Sequence, residues 1–209
     1  MVCRRLAGSG WMLAVMIAAL AVGSAALAGR ASAGEGCFPA ERLQELVRWV
    51  EASAELPVGT RFRQEVTLRA LFTTWQFESS VWQDRDGLKS ETRGAPGFVP
   101  PSLPADLVGL MKNLDLFDLR VVELAEPGIL VLRGPRIDYR GSGAKEATFW
   151  IDTCRGRIER AEAVFSWGTL LVRQEYLDLE GRLLLARQSA RALPYGFTLE
   201  VAYRDYQIP

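Results

Sequence analysis

The chain has 209 residues, with 25 basic and 25 acidic side chains, three cysteines and no histidine. Zero formal charge argues against a nucleic-acid binder, which needs a basic surface, and the missing histidine excludes Ser-His-Asp and Cys-His nucleophile systems and imidazole metal sites. At 49% apolar and 24% charged, the composition is that of a folded globular protein.

Residues 1–33 read as an export signal. Arg4 and Arg5 form a short positive region, Trp11 to Ala28 is an apolar run, and Ala31-Ser32-Ala33 supplies the small residues of a cleavage site. An uncleaved anchor is the alternative, because the run is near the lower length limit for spanning a bilayer. Glu35, close before Cys37, argues against lipid attachment at that cysteine. Cleavage after Ala33 leaves a single domain over residues 34–209, carrying a net charge of −3 and retaining Cys37 and Cys154. In an oxidising compartment this even pair is most simply a disulfide; two unpaired buried thiols are the alternative.

Phe38 to Ala54 places Phe38, Leu43, Leu46, Val47 and Val50 at helical spacing, and Pro57-Val58-Gly59 ends the segment. After residue 60 the period drops to two: Phe62, Gln64, Val66, Leu68 and Ala70 alternate with Arg61, Arg63, Glu65, Thr67 and Arg69. A second strand carries Trp75, Phe77, Ser79 and Val81 on one face and ends in the hairpin turn Asp84-Arg85-Asp86-Gly87. Gly94 to Pro104 (GAPGFVPPSLP) reads as a proline-rich loop, Asp106 to Leu114 as a short apolar helix, and Leu116–Leu124 as a strand. Further strands follow at Ile129–Arg133, Ala147–Asp152, Arg157–Trp167, Thr169–Leu179, Leu183–Ala192 and Phe197–Tyr206. Links this short join strands into an antiparallel meander.

Several strands are bulky on both faces. Phe149 and Ile151 oppose Trp150, and Leu183-Leu184-Leu185 is apolar throughout. An antiparallel sheet wetted on one side alternates more cleanly, so both faces need cover, from helices, another sheet or a ligand. Two short helices are little cover for so many strands, which leaves room for an apolar cavity. Nothing comparable points to catalysis. Glu175 with Asp178, and Asp152 with Glu159, are carboxylates on solvent faces of strands, and Asp84, Asp86 and Gly87 lack the further oxygen ligands of a calcium loop. No enzyme activity, metal or cofactor is expected.

An export signal, an amphipathic helix, a strand opening Phe62-Arg63-Gln64-Glu65-Val66 and a C-terminal meander together resemble the LolA/LolB-like lipoprotein-carrier superfamily. The strongest stretch is Ala147 to Pro209. There ATFWIDTCRGRIERAEAVFSWG resembles a hairpin of that family, and LLVRQEYLDLEGRLLLARQSARA with FTLEVAYRDYQIP resembles its closing strands. DLVGLMKNLDLFDLRVVE stands where the family has a short helix before a strand. The resemblance implies an α+β, mostly β fold: a strongly curved antiparallel sheet, or incomplete β-barrel, covered by an N-terminal helix and a short central helix. It further implies a periplasmic carrier that holds a lipid or lipoprotein acyl chains, exchanges them with an inner- or outer-membrane partner, and binds no nucleic acid. Phe62, Val66, Leu68, Trp75 and Phe77 would line the cavity from the early strands. Leu107, Leu110, Met111 and Leu114 would form a lid, and Phe149, Ile151 and Val164 would contribute from the far side. Related folds also serve as lipoprotein-sensing domains that regulate a membrane partner; a ligand-free structural domain is the plainer alternative.

Overall fold

The computed structural model describes residues 42–70, 72–109, 114–126, 128–139, 143–179 and 181–209. The expected export signal, Cys37, Leu110 and Met111 lie outside these residues. Helix α1 (Leu43–Ser53) precedes three strands, β1 (Arg61–Ala70), β2 (Thr73–Asp84) and β3 (Gly87–Arg93). Helix α2 (Leu103–Gly109) and a 3-10 turn (Leu114–Leu116) follow. A seven-strand meander completes the chain: β4 (Arg120–Glu126), β5 (Ile129–Pro135), β6 (Glu146–Asp152), β7 (Arg157–Phe165), β8 (Gly168–Leu179), β9 (Arg182–Leu193) and β10 (Phe197–Gln207).

All ten strands form one antiparallel sheet in the order β3-β2-β1-β10-β9-β8-β7-β6-β5-β4. β3 and β4 remain as open edges, so the sheet is an incomplete barrel of the α+β class. Register shifts at Arg61/Arg63 of β1, Trp150/Ile151 of β6 and Glu175/Tyr176 of β8 supply local bends, because an extra residue on one strand increases twist at that point. The β2–β3 hairpin turns on Arg85-Asp86, with Asp84 paired to Gly87. Gly87 has a φ of 117°, a value that side-chain-bearing residues rarely adopt.

The strand expectations hold closely, with two differences around the central helix. The helix begins at Leu103 rather than Asp106 and takes in Pro104, which a first helical turn tolerates because the N–H that proline lacks has no partner there. The strand expected from Leu116 starts at Arg120, since Leu116 closes the 3-10 turn and Phe117 makes an isolated bridge to Arg136.

Two separate apolar cores lie on the sheet. The first joins Leu46 and Val50 of α1 and Leu114 to Leu130, Leu132, Phe149, Ile151, Ile158, Phe165 and Val172 of β5–β8. α1 is seated by Trp49, whose ring lies where a side chain on Gly156 would be; a Cβ there would come within 2.7 Å of the indole. The second joins Phe62, Val66, Leu68, Phe77, Val81, Val201 and Tyr203 of β1, β2 and β10 to Val99, Leu103, Leu107 and Val108.

α1 carries one strained charge. Glu51 accepts the backbone N–H of Asp115 at 3.3 Å, and burial, reinforced by the nearby Asp115 carboxylate, raises its carboxyl above the usual range. A raised acid pKa penalises the fold once the group ionises, and the penalty disappears below the ordinary carboxylate range. Glu51→Gln keeps an acceptor for Asp115. It should therefore be more stable than wild type at pH 7 and equal to it in strong acid, as urea unfolding at several pH values will measure.

Candidate functional site

The second core has an unusual roof. Alternation on β1 turns Phe62, Gln64, Val66 and Leu68 inward, each at most 4% exposed. Over them lie the proline-rich loop and α2, contributing Val99, Leu103, Leu107 and Val108. Trp75 meets Phe98 of the loop edge-on at 5.1 Å, and Phe62 stacks on Tyr206 at 4.9 Å.

This roof is pinned by polar contacts at discrete points. Gln64 Nε2 donates to the Pro104 carbonyl at 2.9 Å, and Gln188 Nε2 donates to the Leu107 carbonyl at 3.3 Å. The Ser90 hydroxyl donates to the Pro101 carbonyl at 2.9 Å. Beneath α2, the Tyr203 hydroxyl donates to Gln188 Oε1 at 2.9 Å. Burial pushes the Tyr203 phenol well above its ordinary value, so it remains a neutral donor. Burying such groups costs free energy unless they bond, so the glutamines hold the roof in one place while the apolar residues supply the contact area.

The expected lining residues separate into two sets. Phe62, Val66, Leu68, Phe77 and Leu107 share the roofed core, with Trp75 half-buried against it. Leu114, Phe149 and Ile151 belong to the core under α1. Val164 joins neither: it alternates with Ala163 and Phe165, which pack on the α1 core, and so faces the opposite side of the sheet, half-buried. Phe62, Val66, Leu68, Phe77, Leu107, Leu114, Phe149 and Ile151 are 0–5% exposed, so both beds are closed in this conformation.

Most of the carboxylates considered for chemistry have structural partners, and Glu175 stands opposite Arg187 across the β8–β9 ladder. Asp152 Oδ1 accepts the backbone N–H groups of Cys154 and Arg155, and Asp152 and Glu159 both pair with Arg157. Asp178 accepts the N–H of Gly181 in the β8–β9 turn. Asp84 accepts from Lys89 and the Arg85 N–H, which lower its pKa. Cys154 is exposed on the turn after β6. Sequence reasoning missed Gln188 and Tyr203 as anchors. Their signal was present in β1, where Gln64 interrupts an otherwise apolar inward face.

An open, helix-roofed antiparallel half-barrel with an apolar concave bed defines the class. No family profile matches the sequence, and no curated protein is detectably similar to it. Solved structures are informative. A LolA superfamily protein from Nitrosomonas europaea superposes with a TM-score of 0.59 at 10% identity, covering 79% of this chain and 93% of the other. A lipoprotein-sorting protein domain from Vibrio parahaemolyticus gives 0.57 at 13% identity, with 81% and 93% covered. A DUF1329 family protein from Desulfovibrio piger gives 0.59 at 8% identity over the same shares. The chain has the LolA-like fold.

Proposed function

We propose that the protein is a periplasmic, non-catalytic carrier that takes a lipid, or the acyl chains of a lipoprotein, into the bed of β1, β2 and β10 when α2 and the proline-rich loop swing away. One observation carries this reading. A seven-residue helix and a loop close an apolar bed, and the described polar contacts holding them are single bonds from Gln64, Gln188 and Ser90 to backbone carbonyls. Such a cover gains apolar contact when shut and is replaceable by hydrocarbon, each methylene of which gains about 0.8 kcal/mol on leaving water. Phe62, Val66, Leu68, Trp75 and Phe77 would then contact the guest, with Leu107 moving on the lid. The bed under α1, with Leu114, Phe149 and Ile151, would stay shut as scaffold.

The reading includes export by residues 1–33, delivery by an inner-membrane partner or to an outer-membrane one, and a Cys37–Cys154 bridge tying the mature N-terminus to the β6–β7 turn. Native mass spectrometry of protein purified from the periplasm should show a lipid adduct that organic extraction removes, and the protein should speed transfer of labelled lipid between vesicles. Absence of any adduct together with no transfer would leave a structural domain with a filled core.

A further inference from the structure

A belt of polar side chains crosses the sheet face that α2 roofs. Gln64 of β1 stands opposite Tyr203 of β10, Val201 on the same face of β10 stands opposite Gln188 of β9, and Gln188 stands opposite Gln174 of β8. Residues opposite each other in an antiparallel ladder point to one side of the sheet, so these groups share the face of the apolar bed. Gln64, Gln174, Gln188 and Tyr203 are each at most 6% exposed. Gln64 Nε2 and Gln188 Nε2 donate to the lid carbonyls of Pro104 and Leu107. Gln188 Oε1 accepts from the Tyr203 hydroxyl and Gln174 Oε1 from the Tyr176 hydroxyl. Gln174 Nε2 and Gln64 Oε1 have no hydrogen-bond partner among the described residues. The belt itself carries no cation. Arg157 stands at its end, 5.3 Å from the centre of the Tyr176 ring, and is paired with Asp152 and Glu159.

When α2 leaves the bed, the amide donors of Gln64 and Gln188 lose their acceptors. Hydrocarbon can stand in for Leu103, Leu107 and Val108 of the lid, but not for the carbonyls of Pro104 and Leu107, and a buried donor without an acceptor opposes binding. With Gln174 Nε2 already unpartnered, a guest of pure hydrocarbon would cover three such donors. The replacement has to repeat what the lid offers: two neutral carbonyl oxygens, about 4.5 Å of helix rise apart, set among apolar groups. Two acyl esters on adjacent carbons of one glycerol have that pattern, with carbonyls close together and a hydrocarbon chain running from each. We propose that the guest is a diacylglyceryl lipid whose ester carbonyls take the places of the Pro104 and Leu107 carbonyls on Gln64 Nε2 and Gln188 Nε2, with Gln174 Nε2 open to a further ester oxygen. This assignment rests on the carrier reading, since the esters reach the belt only where α2 has left. A belt without a cation of its own selects such neutral acceptors over a free carboxylate.

The test is fluorescence titration of the purified exported protein with a pyrene-labelled diacyl phosphatidylcholine and with its dialkyl ether counterpart, equal in chain length and headgroup but lacking both carbonyls. The diester is expected to bind at least about tenfold more tightly than the diether. Gln64→Leu, which leaves the bond between Tyr203 and Gln188 in place, should shrink that preference and bind the diether more tightly than wild type does. Gln188→Leu should act in the same direction. Equal binding of the two lipids by wild type, or a preference undiminished in both variants, would overturn the proposal and leave the carrier reading standing; binding of neither lipid would overturn both. Competition by a synthetic S-diacylglyceryl-cysteine peptide at lower concentration than by diacylglycerol would make a lipid-modified polypeptide the source of the esters, and the reverse order would make it a membrane lipid.

Discussion

Leu46→Ala is expected to lower stability by about 2–5 kcal/mol, the range for deleting a fully buried leucine side chain. Leu46 is 0% exposed and packs at the centre of the α1 core with Val50, Leu114 and residues of β5–β8. An eleven-residue helix has little stability of its own in water, so α1 depends on that contact. The cavity should therefore loosen the whole helix and lift Trp49 from its seat against Gly156. Urea unfolding will report the loss, and a red shift of tryptophan emission before the main transition will report the lifted ring. A change under about 1 kcal/mol would mean that α1 adds little to the core.

Gln188→Leu is expected to cost about 2–3 kcal/mol, because it strands the buried Tyr203 hydroxyl and removes one pin from α2. Its second effect is functional. With the Leu107 carbonyl released, the lid should open more often, so an environment-sensitive apolar dye should bind faster and more tightly than to wild type. Gln64→Leu removes the bond to Pro104 and should act in the same direction. Lower stability with unchanged dye binding would make these glutamines purely structural and would remove the lid from the proposed carrier mechanism.

The sheet was legible wherever one face is clearly apolar. In β1, the alternation of Phe62, Gln64, Val66 and Leu68 with arginines, glutamate and threonine gives both the strand and its inward side. β3 (GLKSETR) has no such contrast and was implied only by the turn before it; its pairing to β2 supplies what its composition lacks. The start of α2 was hidden because Pro104 was read as a breaker. Val164 was assigned to the wrong side because Ala163, the small residue beside it, is the one that turns inward. The division into two cores was not legible at all, since it depends on which strands each helix covers. Nor was the pairing of Arg160 with Arg173, which depends on the register between β7 and β8.

The strand order has a consequence for how the molecule is made. β1–β3 and β4–β9 are two half-sheets, and among the described strands they are stitched together by β10, which pairs with β1 on one flank and β9 on the other. A chain still lacking residues 197–207 holds both halves without their keystone, leaving β1 and β9 with raw edges. Assembly therefore waits until synthesis has passed the last strand, a delay that fits the export proposed above.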